Sequence, residues 1–391
     1  MNVLSIGAGV GQEDFISKAR SKGLYIVGID GDKEATGKNI ADEFYNIDIK
    51  EKSSVEELIY IKNIEGILPI PIGRYLTTTG YCNSKCGFKG ISYKASKNCT
   101  DKLEANAIMK KNNINCANQL LCKNEKEVID FINKFQLPVI VKPRYGSGSK
   151  RVEVVKNKKQ LKKYFKQNDI LIEDILMEEY LKGEEYGVDL IYTNLECRVL
   201  SFRRKVMTAG VHRQEIGYYI NCNRSNEYLS RFNNEIIRIA KIFQLSDCFI
   251  HMDVMIKNDE IYLIEVSGRP AGLDITSQLL PLAYNRDIYG DYLDYIFNGK
   301  PMNFDSYKME GVYYLRYIDL ENGILKEAPS SAFLSEVGVV KENLLCKVGQ
   351  CFGKIKDGRE LYTRGYVIIK GKDEAEVDES WRKIKNKFKV I

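Results

Sequence analysis

Apolar and polar positions along the chain fall into two kinds of period, and their succession sets out the elements. Asn2 to Ile6 and Tyr25 to Ile29 are apolar strand patterns separated by a helical pattern running through Ala19 and Arg20. Further strands are predicted at Glu43 to Ile47 and Gly66 to Ile72, with a helix from Ser53 to Ile61 between them, so the first hundred residues read as parallel αβ alternation. Gly73 to Lys89 is expected as a loop and helix. Thr100-Asp101-Lys102, with Glu104 in the first turn, opens a well-capped helix. Leu137 to Lys142 is a strand, Val152 to Val155 another, and Cys197 to Lys205 a third. The runs Ile250 to Ile256 and Ile261 to Val266 alternate around the polar Lys257-Asn258-Asp259-Glu260, the pattern of a β-hairpin. Amphipathic helices are predicted from Ser225 to Phe243, at Asp274 to Ala283 and at Asp287 to Phe297, and Asn298-Gly299-Lys300-Pro301 reads as a boundary. Beyond it come strands near Gly311 to Asp319 and Tyr366 to Lys370 and a helix from Asp373 to Lys389. The fold class is therefore α/β followed by α+β, with units expected at 1–98, 99–300 and 301–391.

Length agrees, since 391 residues exceed one ordinary core and suggest two to three domains. A composition of 44% hydrophobic and 29% charged residues is that of a globular protein, with no run long enough for a membrane span. The N-terminus enters a strand pattern without a signal peptide's basic, apolar and cleavage regions, so a cytoplasmic location is expected. The 59 basic and 53 acidic residues are interleaved, and a net charge of +6 points weakly to anionic ligands and away from nucleic acid. Ten scattered cysteines beside only two histidines make neither a zinc ribbon nor a disulfide framework, and reduced thiols are expected.

Three stretches carry candidate chemistry. Asp253 and Glu265 sit on the paired arms of the hairpin with Ser267 and Arg269 close behind, a set of oxygen ligands suited to Mg²⁺ carrying nucleotide phosphates. Read alone, such carboxylates are more often solvated surface charges. Between the strands that end at Lys142-Pro143 and begin at Val152 lies Arg144-Tyr145-Gly146-Ser147-Gly148-Ser149-Lys150-Arg151, whose small residues and free amides can fold over phosphates. It lacks the spacing of a Walker loop. Met177-Glu178-Glu179-Tyr180-Leu181 and Glu184-Glu185 offer backbone and carboxylate partners for a base and a ribose. The opening Gly7-Ala8-Gly9-Val10-Gly11, with Asp30 after the second strand, has a dinucleotide-site flavour, although Gly11 falls one position early.

Glu265-Val266-Ser267-Gly268-Arg269 resembles the Glu-x-Asn-x-Arg signature of ATP-grasp ligases, with Asp253 in the place of the first metal carboxylate and Ser267 departing from the usual Asn. Pro270-Ala271-Gly272 resembles the loop of the L-amino acid ligase branch, within the carboxylate–amine ligases. The resemblance covers roughly Thr100 to Gly272 and implies a Rossmann-like N-terminal domain, an ATP-grasp fold and a small C-terminal α+β cap. It implies ATP and Mg²⁺ (or Mn²⁺) as cofactors, with Lys102, Lys142, Gly146, Ser147 and Gly148 holding phosphates. Glu178, Glu179, Tyr180 and Leu181 would take the adenine edge and Glu185 the ribose, with Asp253, Glu265 and Ser267 on the metal. Arg269 would stabilise the transferring phosphoryl group, and Arg213 or Arg204 would hold a substrate carboxylate; His212 reads as a structural histidine. The implied reaction is ADP-forming ligation of a small carboxylic acid or amino acid to an amine through an acyl phosphate. Bicarbonate activation and a non-catalytic ATP-binding regulator are the alternatives. Small-molecule partners are expected, no nucleic acid and no membrane, with a homodimer among the assemblies allowed.

Overall fold

Strands β1 (Asn2–Ile6), β2 (Tyr25–Asp30), β3 (Glu43–Asn46) and β4 (Gly66–Ile67) form a parallel sheet in the order β3-β2-β1-β4. Helices Glu13–Ser21 and Lys52–Ile61 cover it with Phe15, Ile16 and Ala19 and with Val55, Leu58 and Ile59. The chain turns after β1 through Gly7, whose φ of +115° is a backbone conformation that side chains rarely tolerate. Asp30 closes that turn: one carboxylate oxygen accepts the Ala8 amide at 2.9 Å and the other the Asp32 amide at 2.9 Å. The acidic residue that a dinucleotide ribose would need is thus tied to its own backbone. The computed structural model describes residues 1–146, 148, 151–167, 174–194, 196–208, 214–221, 226–320, 322–355 and 358–391. Among them no helix is long and apolar enough to cross a membrane.

A second, antiparallel sheet holds β5 (Gln119–Leu121), β6 (Val139–Pro143), β7 (Glu153–Val155) and β8 (Ile175–Glu179) in the order β5-β8-β6-β7. Helices Glu125–Phe135 and Lys158–Gln167 back it, packing Val128, Phe131, Ile132, Leu161 and Tyr164 on Val139, Val141, Val155 and Met177. Then come β9 (Glu184–Tyr192), β10 (Cys197–Met207), β11 (Glu215–Ile220), β12 (Cys248–Lys257), β13 (Glu260–Ser267), β14 (Val312–Tyr317), β15 (Gly323–Glu327), β16 (Val339–Leu344), β17 (Cys351–Phe352), β18 (Gly365–Gly371) and β19 (Lys389–Val390). Eight of these make the central antiparallel sheet, β13-β12-β9-β10-β11-β14-β18-β16, and β17-β15-β19 make a small one. The predicted break near residue 300 does not interrupt the central sheet, because β14 pairs with β11 in the register Gly217↔Arg316 to Ile220↔Tyr313. One apolar cluster runs from Leu4 and Val27 through Ala95 and Met109 to Met252 and Leu263, so the N-terminal sheet and the hairpin share a core.

The hairpin forms as its alternation predicts. Asn258 and Asp259 both take left-handed φ, +51° and +61°, as a two-residue loop matched to strand twist requires. The predicted helix from Ser225 to Phe243 is instead two helices, Asn226–Ser230 and Asn233–Ile242. At the break Arg231 turns to reach Asp259 on the hairpin loop at 2.8 Å and lies over the rings of Tyr228 and Phe232.

Candidate active site

The four-stranded sheet β5-β8-β6-β7 and the central sheet face each other across a cleft of about 1290 Å³, its open mouth included. The helix Lys102–Lys111 closes one side. Side chains reach the cleft because strands deliver alternate residues to one face. Ser201, Arg203 and Lys205 on β10 therefore stand beside Glu185, Gly187 and Asp189 on β9, while Arg204 between them points away.

Lys205 is the electrostatic centre of this face. Its ammonium, on a side chain only 1% exposed, lies 2.5 Å from Glu215, 2.8 Å from Asp253 and 3.1 Å from Glu185. Burial pulls the pKa of that ammonium down, and the carboxylates of Asp253, Glu215 and Glu185 more than reverse this, holding it well above the usual lysine range. Asp253 responds in the opposite sense: burial pushes its carboxyl up, but Lys205 and His251 beside it hold it well below the usual range. His251 Nε2 lies 3.3 Å from Asp253 and its Nδ1 lies 3.6 Å from Asp189. Behind them the fully buried Arg203 donates from Nε to Asp189 at 2.5 Å and stacks on Tyr218. Gly187 makes room for that guanidinium, since a Cβ there would stand 2.5 Å from Arg203 Nη2.

Asp253 and Glu265 are directly opposed across the hairpin, with a register shift just after Asp253. Both line the cleft, as does Glu215. Glu265 makes no ion pair among the described residues. Among those residues, too, no three His, Cys, Asp or Glu side chains converge closely enough to hold an ion by themselves. That donor set fits Mg²⁺, which takes one or two carboxylates and completes its shell with phosphate oxygens and water.

At the other end, Lys142 is buried and its ammonium lies 2.7 Å from Glu178 on the neighbouring strand. Gln119 donates to the other Glu178 oxygen at 2.6 Å. Lys102 donates to the carbonyl of Gly146 at 2.9 Å. Asp101 caps the helix through the amides of Leu103 and Glu104, and also accepts Arg144 at 2.6 and 2.8 Å and the Tyr145 hydroxyl at 2.8 Å. The root of the glycine turn is thereby fastened to the helix that carries Lys102.

The structure brings Lys102, Lys142, Gly146, Gly148, Glu178, Glu179, Tyr180, Leu181, Glu185, Asp253 and Glu265 to this one cleft. Ser267 is buried beside it, opposite His251 in register. Arg269 lines an adjoining small cavity under the N-terminal sheet and donates to the carbonyl of Pro270 at 2.8 Å. Burial lowers its pKa against the pull of Glu265, Asp253, Glu215 and Asp189. Ser147, His212 and Arg213 lie outside the described residues. Arg204 is corrected: it pairs with Glu374 on the C-terminal helix and lies over Tyr219, on the far face of the sheet. Sequence reasoning missed the part played by Lys205, Glu215, Arg203, His251 and Gln119. The period of two along β10 groups Arg203 with Lys205, but only the strands alongside decide which face lies inward. The nine described cysteines are free thiols. Cys99 lines the cleft, and burial pushes it up to about 12, far from a nucleophile's range.

Residues 99–273 match the family model of the ATP-grasp domain. Solved structures of the same fold span the whole chain. Phosphoribosylglycinamide synthetase from Anaerococcus prevotii is 20% identical, covers 100% of this chain and 99% of its own, and has a TM-score of 0.73. L-amino acid ligase from Bacillus licheniformis is 15% identical, with coverage of 100% and 98% and a TM-score of 0.80. N5-carboxyaminoimidazole ribonucleotide synthetase from Thermotoga maritima is 17% identical, with coverage of 100% and 99% and a TM-score of 0.72. At these identities the likeness establishes a shared fold.

Proposed function

We propose that this protein, built around an ATP-grasp domain, is an ADP-forming ligase that joins a small carboxylic acid or amino acid to an amine in the cytoplasm. The observation that carries the reading is the opposition of Asp253 and Glu265 on one hairpin, facing the same cleft as Lys102, Lys142 and the glycine turn. Ile140, Met255 and Leu263 give the far end of the cleft an apolar slot for a base, beside the polar edge from Glu178 to Leu181. Glu185 stands nearby for the ribose. Lys102, Lys142, Gly146 and Gly148, with Ser147, would hold the phosphates.

Mg²⁺, held by Asp253 and Glu265 with Ser267 as a weaker neighbour, would neutralise charge on the phosphates as the terminal phosphoryl group leaves ADP. The residues themselves position and compensate. Lys205 keeps Asp253 ionised and holds Asp253 and Glu215 in place, and Arg269, in the adjoining cavity and within electrostatic reach of Glu265 and Asp253, would stabilise charge that develops on the transferring group. The substrate carboxylate, held by Arg213, attacks the γ-phosphorus and the bond to ADP breaks. An amine then attacks the acyl carbon, expels phosphate and loses a proton. Closure of the glycine turn, whose root Asp101 fastens through Arg144 and Tyr145, would exclude water at this stage and protect an acyl phosphate from hydrolysis.

The test is to incubate the protein with ATP, Mg²⁺ and a panel of amino acids, measuring ADP and phosphate release together with product masses. AMP as the nucleotide product would reject the reading. Consumption of ATP with bicarbonate alone would replace ligation by carboxylate activation of another kind. Glu265→Gln should abolish turnover while leaving Mg²⁺-free nucleotide binding within about threefold, because the change removes a metal ligand and no base contact.

A further inference from the structure

The chain carries a net charge of +6, and the excess is not spread evenly. Residues 156–167 hold six lysines, Lys156, Lys158, Lys159, Lys162, Lys163 and Lys166, and no acidic residue, so the remainder of the chain is formally neutral. Five of the six lie on the helix Lys158–Gln167, which buries Leu161 and Tyr164 and leaves each of these lysines exposed. They stand in two rows, Lys158-Lys162-Lys166 and Lys159-Lys163, along about 12 Å of helix. Like charges four residues apart destabilise a helix. Elsewhere on the surface lysines find carboxylates, as in Lys18–Asp287, Lys22–Asp294 and Lys62–Glu43. Among the described residues none of these six does, and the repulsion goes uncompensated within the fold.

This basic face points away from the cleft. In the sheet β5-β8-β6-β7, Val139, Val141 and Met177 pack against the two helices, while Ile140, Lys142 and Glu178 on the other side line the cleft. A ligand in the cleft is out of reach of these ammoniums, and their counter-charge has to come from outside the molecule. The exposed side chains of residues 156–167 are lysine, asparagine and glutamine only. Among them is no arginine to grip a phosphate with two donors and no ring to stack on a base. Such a face counts charge and reads neither sequence nor fixed shape. Lipid headgroups suit it, because they are dense, anionic and free to move beneath each ammonium. We propose that the outer face of the helix Lys158–Gln167 docks on an anionic lipid surface, holding the protein by the back of this sheet with the cleft left clear. The contact is peripheral and needs no spanning helix, and it revises the expectation that no membrane takes part.

The experiment sediments the full-length protein, without nucleotide, with vesicles of phosphatidylcholine alone and of phosphatidylcholine and phosphatidylglycerol in a ratio of roughly two to one, at about 50 mM and about 300 mM NaCl. Wild type should partition onto the anionic vesicles at low salt, leave them at high salt and ignore the neutral ones. Each lysine removed should weaken partitioning by about fivefold, so the triple variant Lys158→Gln, Lys162→Gln, Lys163→Gln should lose about a hundredfold. A second triple variant, Lys308→Gln, Lys326→Gln, Lys347→Gln, removes the same charge from exposed lysines of the C-terminal region and should stay within about threefold of wild type. Equal losses in the two triple variants overturn the inference, because net charge and not this face would then be at work. So does a wild type that ignores anionic vesicles at low salt. Stripping of the protein from the vesicles by oligouridylate or polyglutamate, at equal concentration of negative charge, also overturns it in favour of a nucleic acid or an acidic protein. None of these outcomes touches the ligase reading.

Discussion

Lys205→Met isolates the charge balance of the cleft. The variant keeps the side chain's length and removes its ammonium, leaving Glu185, Glu215 and Asp253 around an apolar group. At an effective dielectric of about 20, each contact near 3 Å is a gross attraction of roughly 5 to 7 kcal/mol. Most of this is cancelled by taking the ammonium out of water, and breaking one side of a buried pair typically costs about 3–5 kcal/mol. The three carboxylates are 15–20% exposed at the cleft surface, which argues for the lower end, about 3 kcal/mol. For a chain of 391 residues that is a fall in Tm of about 4 °C. Thermal and urea unfolding of wild type, Lys205→Met, Glu215→Gln and the double variant form a cycle, and the double variant should recover more than 1 kcal/mol of the loss. Additivity within about 0.5 kcal/mol, or a Lys205→Met protein as stable as wild type, would refute the placement of Lys205 as the cation of this cluster.

Two further outcomes follow from the same sheet and its flank. Gly187→Ala should destabilise the fold by about 3 kcal/mol, because the new methyl would lie 2.5 Å from Arg203 Nη2 and the guanidinium is fully buried; a urea midpoint unchanged from wild type would contradict this. Asp274, in a left-handed conformation after the hairpin, has its carboxyl raised to about 6, by burial first and by Asp14 next. A carboxyl raised on folding stabilises the folded state below its unfolded pKa, and this is lost as pH rises from about 4 through 6. Asp274→Asn should therefore be more stable than wild type by on the order of 1 to 2 kcal/mol at pH 7.5 and no different at pH 4, and a difference independent of pH would count against it.

Much of this site is legible in the chain because local rules and tertiary structure agree there. The hairpin announces itself by strict alternation around a polar loop, and alternation alone places Asp253 and Glu265 on opposed arms. Asp101 was legible as a cap, since capping depends on three or four neighbouring residues. Lys205 was not. A lysine on a strand is exposed by default, and only the side-by-side placement of β9, β11 and β12, drawn from across some seventy residues, surrounds it with carboxylates. Gln119 sits in a strand of three residues, too short for any period to show, and its meaning depends on Glu178 far along the chain. The single helix expected from Ser225 is interrupted by a turn at Arg231 and Phe232, where the Phe232 amide bonds back to the Leu229 carbonyl, a local break that the amphipathic period does not show.

The unbroken central sheet has a consequence for how the chain can be cut. A fragment ending at Asn298 would keep the cleft-lining residues named above and lose β14, baring the backbone amides and carbonyls of β11 from Gly217 to Ile220. Bare edges of this sort recruit whatever strand is available, including another copy of themselves. The last ninety residues are therefore not a detachable lid that could be swapped between proteins. They are the selvedge that keeps the central sheet from fraying into self-association.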